Sequence, residues 1–535
     1  MTFCLPFFRS SSAAREFEED NHTDYLEKLS LDPEPSGSPT LQGGLLKNEA
    51  RERLCSLRTL MQDNKVDYYV IPSEDEHQSE FTTEADQRRR WISGFTGSAG
   101  TAVVSKDKAW MFVDSRYWVQ AAKQLSSEWT LVKTVGKDAE GCHTWWEWCE
   151  NNVEDHARIG IDPKLITLVL VNLIEPKLNT KSISLVQIND NLVDAIRPVV
   201  QRSLSPVTLH PLKFSGCSTK DKLASIRDKL FTNNPENGLY ILPVLPSIAW
   251  LLNLRCQHDV PNTPIFRSYV TLTRTECVIY ADKRKFSEDV VDSLKDDGVC
   301  LRAYGAEEVK KYIVGWKSSA DGEKRKVLAP PTVSWGMVLT YVVPGEQEKI
   351  GIITCPVDAA KAIKNKTEIE GFRRAYLRDG AATVRWMTWL DEEIKDKGRK
   401  IGEWEAGEKL TEFRSHEQYF AGLAYDNISA SGPNGALPHY SPEKGHDRII
   451  DTKTSYVMHF GTPTPDQQRA FTRVLQGHTD RYTVRQIAIE TTPFPKGSRG
   501  DSLEMLARQY LFADGLNFGH GVGHGIGSYL SVSMT

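Results

Sequence analysis

The sequence predicts a mixed α/β and α+β protein, in which two similar α/β domains are followed by a third region of different construction. Three observations carry this. A helix–strand–break plan occurs twice before residue 300, and a long helical period opens at Ala359. The run Gly519-His520-Gly521-Val522-Gly523-His524-Gly525-Ile526-Gly527 then sets a glycine at every second position around two histidines.

In the first copy, residues 53–73 read RLCSLRTLMQDNKVDYYVIPS, an amphipathic helix feeding a short apolar strand that stops at Pro72-Ser73. Residues 222–247 repeat the plan: Leu223, Ile226 and Leu230 form the helix stripe, residues 239–243 the strand, and Pro246-Ser247 the break. A tryptophan-containing helical turn follows in each copy, at Trp91-Ile92 and at Ala249-Trp250. Two further strands come next, over 102–105 and 110–114 in the first copy and over 269–272 and 277–281 in the second. A tandem duplication explains this most economically, the alternative being two independent domains that share a common α/β grammar.

The third region begins with apolar residues at roughly helical intervals, Phe372, Tyr376, Ala381, Val384, Met387 and Leu390, with capping-box spacing between Thr367 and Glu370 and Gly398 as the expected end. The turn Ser431-Gly432-Pro433-Asn434-Gly435, a strand-like stretch over 456–460, a helix over 467–476 and the histidine run complete it. Five glycines in nine residues would weaken a helix there, whereas an extended chain would point His520 and His524 to one side. Neutral imidazole is a common metal ligand. Taken alone, the run could equally be a flexible loop carrying two solvated histidines.

The chain has 535 residues, too many for one core. Hydrophobic content of 40% and charged content of 26% are those of a soluble globular protein, and a net charge of −5 gives no electrostatic case for nucleic acid or an anionic membrane. Nine scattered cysteines without a C-x-x-C pair fit free thiols in a reducing, cytoplasmic setting. The longest apolar run, residues 165–174, is too short to span a bilayer. Residues 1–47, with Ser10-Ser11-Ser12 and Pro33-Glu34-Pro35-Ser36-Gly37-Ser38-Pro39, have the vocabulary of a disordered tail.

Six motifs in order now identify a family: Ile71-Pro72-Ser73-Glu74-Asp75-Glu76-His77-Gln78-Ser79-Glu80, residues 93–102 (SGFTGSAGTA), Asp114-Ser115-Arg116-Tyr117, Ile248-Ala249-Trp250-Leu251-Leu252-Asn253-Leu254-Arg255, residues 431–440 and residues 519–527. From about residue 48 to Leu530 the chain resembles aminopeptidase P, the Xaa-Pro aminopeptidases of the pita-bread metallopeptidase class. The resemblance implies two creatinase-like α/β domains, 48–205 and 206–357, and a pita-bread catalytic domain over 358–535. It implies hydrolysis of the bond between an N-terminal residue and a following proline by two manganese ions about 3.5–4 Å apart. The substrates would be peptides with proline in the second position; a homodimer is left open. His524 matches the ligand histidine, His439 and His520 match substrate-site histidines that donate to the scissile peptide, and Arg116 matches a substrate-site arginine. For Arg116 alone, a surface arginine at a strand end would be the plainer reading.

Against that pattern the catalytic domain is incomplete. The family's ligands are two aspartates, a histidine and two glutamates, and its aspartates sit on a hairpin after the His-Tyr motif. Here Thr454-Ser455-Tyr456 passes straight into Val457-Met458-His459-Phe460-Gly461, and nearby Asp447 and Asp451 match neither aspartate. The family continues past its histidine loop to the two glutamates, whereas this sequence changes at Ser533-Met534-Thr535, and residues 479–486 are an insertion. One of five metal ligands survives. Abrupt junctions between well-matched segments read as an alternative or imperfect form of the coding sequence, since gradual decay would blur the motifs. The expectation is an aminopeptidase P scaffold whose metal site is disrupted and whose domain is truncated, inactive as written. The alternative is a non-catalytic pita-bread module that binds peptides or proteins.

Overall fold

The computed structural model describes residues 47–134, 141, 144–232, 238–318, 325–339, 350–450, 463–478, 495, 498 and 500–530. These fall into two compact units, one holding the described residues up to 450 together with 523–530, the other those from 463 to 522. The expected tail, the strand-like stretch over 456–460, the junction at Tyr456, the insertion over 479–486, Asp451 and the final residues 533–535 lie outside the described residues.

The larger unit opens with helix Lys47–Asp63, which buries Ala50, Leu54, Leu57 and Met61 along one face. It delivers the chain to β1 (Tyr68–Ile71), whose four residues are all buried because both faces of this central strand are covered. With β2 (Thr101–Ser105), β3 (Ala109–Val113), β4 (Thr130–Lys133), β5 (Arg158–Ile161) and β6 (Ser184–Gln187) it forms a six-stranded sheet in the order β4-β3-β2-β1-β5-β6. The β1–β2 and β2–β3 pairs are antiparallel and the β3–β4, β1–β5 and β5–β6 pairs parallel.

The second copy follows the same plan strand for strand. After the short strand β7 (Val207–Leu209), helix Thr219–Phe231 buries Leu223, Ile226 and Leu230, as the sequence stripe predicts, and leads to β8 (Gly238–Leu242). After β9 (Leu254–Cys256), which pairs with β7, come β10 (Ser268–Leu272), β11 (Cys277–Ala281), β12 (Val299–Ala303), β13 (Lys326–Ala329) and β14 (Ile350–Ile352). Their order is β12-β11-β10-β8-β13-β14, with the same antiparallel and parallel pairs in the same places. A shared six-strand topology of mixed direction is much stronger evidence for duplication than shared local periodicity.

The two sheets share a core. Tyr68, Val70 and Phe112 from the first sheet belong to one buried cluster with Leu239, Ile241, Tyr269 and Tyr280 from the second. A polar clasp closes the same junction: Glu76 accepts from Arg267 and from the Tyr269 hydroxyl at 2.8 Å, while His77 Nδ1 lies 2.9 Å from the Pro243 carbonyl oxygen. Burial works against the Glu76 carboxylate, but Arg267, His77 and the hydroxyls of Tyr304 and Tyr269 overcome it and hold its pKa down at about 2. The motif over residues 71–80 thus ties the two sheets together.

In the third region the structure corrects the expected start of the long helix. Pro356–Ala362 is a separate short helix, and the capping box is Asn365 with Glu368, two residues before the predicted pair. The Asn365 side chain accepts from the Glu368 amide at 3.0 Å and Glu368 accepts from the Asn365 amide at 2.9 Å. Tertiary contacts select that pair, since Asn365 also donates to the Ser215 carbonyl at 2.8 Å and Glu368 accepts from the Trp250 indole at 3.2 Å. Helix Lys366–Asp391 then runs for 26 residues, passes into a π-helical segment Glu392–Asp396, and is followed by Gly398 at φ 63°. Its buried face also differs from the expected stripe: Ala382 is buried and Trp386 and Leu390 pack with Ile401, Ala406 and Ile450, leaving Tyr376 and Val384 exposed.

The smaller unit pairs helix Pro465–His478 with helix Glu504–Phe512. Asp514, just past the second, accepts from Arg469 at 2.8 and 2.7 Å and from Arg473 at 2.7 Å.

Candidate active site

Arg116 lies in the turn between β3 and the helix Trp118–Gln124, where the strand ends and Asp114 reverses the chain. Asp114 Oδ1 accepts from the Arg116 amide at 3.1 Å and from Nε at 2.8 Å, and Oδ2 accepts from Nη2 at 2.8 Å. This fork fixes the guanidinium. Burial pushes the Asp114 carboxyl up, yet Arg116, aided by His439, holds it below the ordinary carboxylate range. The residue that follows, Tyr117, is fully buried, its ring edge-on to Phe95 at 5.8 Å.

His439 reaches this turn from the third region. Its Nδ1 lies 2.9 Å from the Tyr117 hydroxyl, and the two rings meet edge-on at 5.2 Å. The imidazole is exposed, but its chain neighbourhood is anchored by Leu437 and Tyr440, which pack with Ala430 against Val119 of the first domain. Beneath it Glu403, 0% exposed, holds residues 431–448 together. Its carboxylate accepts from the Ser431 amide, from the Asn434 amide group at 3.0 Å, from the Tyr440 hydroxyl at 2.7 Å and from the Arg448 amide at 3.0 Å. Burial, and then Glu403, push the Tyr440 phenol well up.

The histidine run adopts no regular element. His520, in the smaller unit, is exposed, with Nδ1 2.8 Å from the Gly521 carbonyl oxygen and its ring 4.5 Å from that of Phe518. Arg508 donates to its main-chain oxygen at 2.7 Å. His524 belongs to the larger unit, is exposed, and has Nδ1 2.9 Å from the Gly525 carbonyl oxygen. Four residues on, buried Arg255 clamps the chain by donating to the carbonyls of Ser528 at 3.1 Å and Tyr529 at 2.6 Å. Burial lowers the Arg255 pKa to about 9 against the opposing pull of Tyr529 and Glu368.

Among the described residues no group of three or more His, Cys, Asp and Glu side chains could hold a metal ion. The described donors therefore do not fit a dinuclear centre. Asp447 in particular is committed elsewhere, accepting from the Trp404 amide at 2.7 Å at the start of helix Glu403–Ser415.

Residues 53–199 and 197–368 match the creatinase/prolidase N-terminal domain in two forms, and residues 370–534 match metallopeptidase family M24. A probable Xaa-Pro aminopeptidase P from Neosartorya fischeri is 40% identical over 504 residues, covering 90% of this chain and 74% of the relative. One from Penicillium rubens is 40% identical over 506 residues, covering 90% and 79%. This chain belongs to the aminopeptidase P family. The crystal structure of X-prolyl aminopeptidase from Caenorhabditis elegans, a cytosolic enzyme with a di-nuclear active site, superposes with a TM-score of 0.83 at 29% identity, covering 91% of this chain and 81% of that one. The creatinase-like pair, the pita-bread class and the metallo-aminopeptidase kinship of the chain follow.

Within the family frame, Arg116 and His439 come together, while His520 and His524 are placed in different units. Three supporting residues escaped the sequence reading. Tyr117 and Arg255 lie inside two of the family motifs, so their position is legible in the sequence but not their contacts. Glu403 carries no sequence signal beyond following a glycine.

Proposed function

We propose that this chain recognises peptides with proline in the second position through Arg116 and His439, and that as its sequence stands it does not turn them over with a manganese pair. The observation that carries the reading is the contact of the Arg116 turn with His439 across a domain boundary. Arg116 spends two N–H directions on Asp114 and presents the rest of its fork to a peptide carbonyl or carboxylate. His439 supplies a donor for the carbonyl of the bond before proline. For His520 and His524 the motif suggests a second peptide donor and a metal ligand.

The disruption rests on the sequence between Thr454 and Gly461, which contains no aspartate, and on the absence of a donor cluster among the described residues. Mn²⁺ prefers oxygen-rich sites, so missing carboxylates remove most of its affinity. The domain limits 48–205, 206–357 and 358–535 and a cytosolic setting belong to the same proposal. The setting is supported by seven free cysteines among the described residues.

Calorimetric titration with a proline-second tripeptide and its alanine-second counterpart, alongside metal analysis of dialysed protein, tests it. We expect binding of the proline peptide alone, well under two equivalents of manganese, and no cleavage. Equal binding of both peptides would overturn the recognition reading, and manganese-dependent cleavage would overturn the disruption.

A further inference from the structure

Beside His439 lies a chain of hydroxyls that belongs wholly to the first domain. Ser98 Oγ is 2.6 Å from the Tyr117 hydroxyl, which is in turn 2.9 Å from His439 Nδ1. We infer that Ser98 and Tyr117 are positioning residues that set the tautomer of His439: Ser98 donates to Tyr117, Tyr117 donates to Nδ1, and the ring proton of neutral His439 sits on Nε2.

Two polarities of this chain are conceivable, and acidity decides between them. A phenol is a stronger donor than an alkyl hydroxyl, and an unprotonated imidazole nitrogen is the strongest acceptor of the three groups, so the phenol proton belongs toward Nδ1. The reverse polarity would make the phenol donate to serine and would turn the better acceptor into a donor.

The surroundings hold the phenol where the relay needs it. Tyr117 is fully buried against Phe95, and a Cβ at Gly97 would come 2.7 Å from Tyr117 Cδ1. Gly97 and Ser98 of the motif over 93–102 thus serve one purpose: the glycine leaves room for the ring and the serine orients its hydroxyl. The consequence, resting on the peptide-recognition reading above, is that Nε2–H becomes the donor offered to the peptide carbonyl, and the first domain takes part in preparing a histidine of the third.

The test is ¹⁵N-histidine labelling of the full chain with long-range ¹H–¹⁵N correlation, at a pH chosen so that the ¹⁵N shifts themselves show a neutral His439 ring. His439 is assigned among the 13 histidines by the loss of its signal in His439→Gln. Wild type is expected to show His439 wholly protonated on Nε2. Tyr117→Phe, which keeps the ring and its packing, should shift the pattern toward a mixture of tautomers, and Ser98→Ala should shift it less in the same direction. A purely structural role for Tyr117 would leave the pattern unchanged in Tyr117→Phe, and that result, or an Nδ1-protonated wild type, overturns the inference. Adding the proline-second tripeptide separates the two readings: an Nε2-protonated His439 that does not respond to peptide upholds the relay and counts against peptide recognition alone.

Discussion

Glu403 shows at residue scale how one buried carboxylate can organise a functional loop. It is an acceptor facing donors from Ser431, Asn434, Tyr440 and Arg448. Glu403→Gln would turn one oxygen into a donor opposite another donor. We expect a loss of roughly 2–4 kcal/mol in unfolding free energy by urea titration, with faster proteolysis between residues 431 and 448. Arg116 should behave differently, since its side chain is 33% exposed and its bonds to Asp114 are local. Arg116→Ala should leave the melting temperature nearly unmoved while weakening proline-peptide affinity by about 10- to 100-fold in calorimetry, the scale of a lost charge-assisted hydrogen bond.

At the scale of elements, the segment after the histidine run is fastened by the second α/β domain. Arg255 donates to the Ser528 and Tyr529 carbonyls, and the Tyr529 ring lies 5.7 Å from that of His210. Arg255→Met fills similar space without the donors and should speed protease cleavage within residues 523–530 several-fold, with the second sheet still protected in hydrogen exchange. His210 adds a pH dependence. Burial, with Arg255 and Lys222, lowers its pKa to about 3, so as pH falls below the unfolded value near 6.5 the unfolded chain takes up a proton that the folded chain refuses. Stability from this group is intact above about pH 6.5 and is lost as pH falls toward 3. Between pH 7 and pH 5 the wild type should lose about 2 kcal/mol more than His210→Phe in paired urea titrations.

For the whole molecule, the two α/β domains form a continuous buried core around the Glu76 clasp. Helix Lys366–Asp391, by contrast, exposes Leu377 at 76% along with Tyr376 and Val384. On the proposed reading, in which the metal site is disrupted, manganese does not stabilise the chain. Saturating Mn²⁺ should then leave the melting temperature within error of the value in chelator, whereas a site filled at 100 times its dissociation constant would add about 2.7 kcal/mol. A clear rise with Mn²⁺ in differential scanning calorimetry would show that an intact site exists.

What the sequence determined by itself was local and periodic. The helix stripes at Leu223, Ile226 and Leu230, the strands bounded by Pro72-Ser73 and Pro246-Ser247, and hence the duplication, are encoded in residues close together in the chain, where apolar period and turn chemistry act directly. Family motifs also brought Arg116 and His439 into view. The tertiary structure decided everything that depends on residues far apart. Asn365 was selected as helix cap over Thr367 because Ser215 and Trp250 reach its capping box, and Asp447 became a helix-capping acceptor because Trp404 lies beside it. Tyr117 meets His439 across 322 positions of sequence. No periodicity spans such a distance. The contact exists because the first α/β domain and the third region pack together, and packing is a property of the folded surfaces rather than of any one segment.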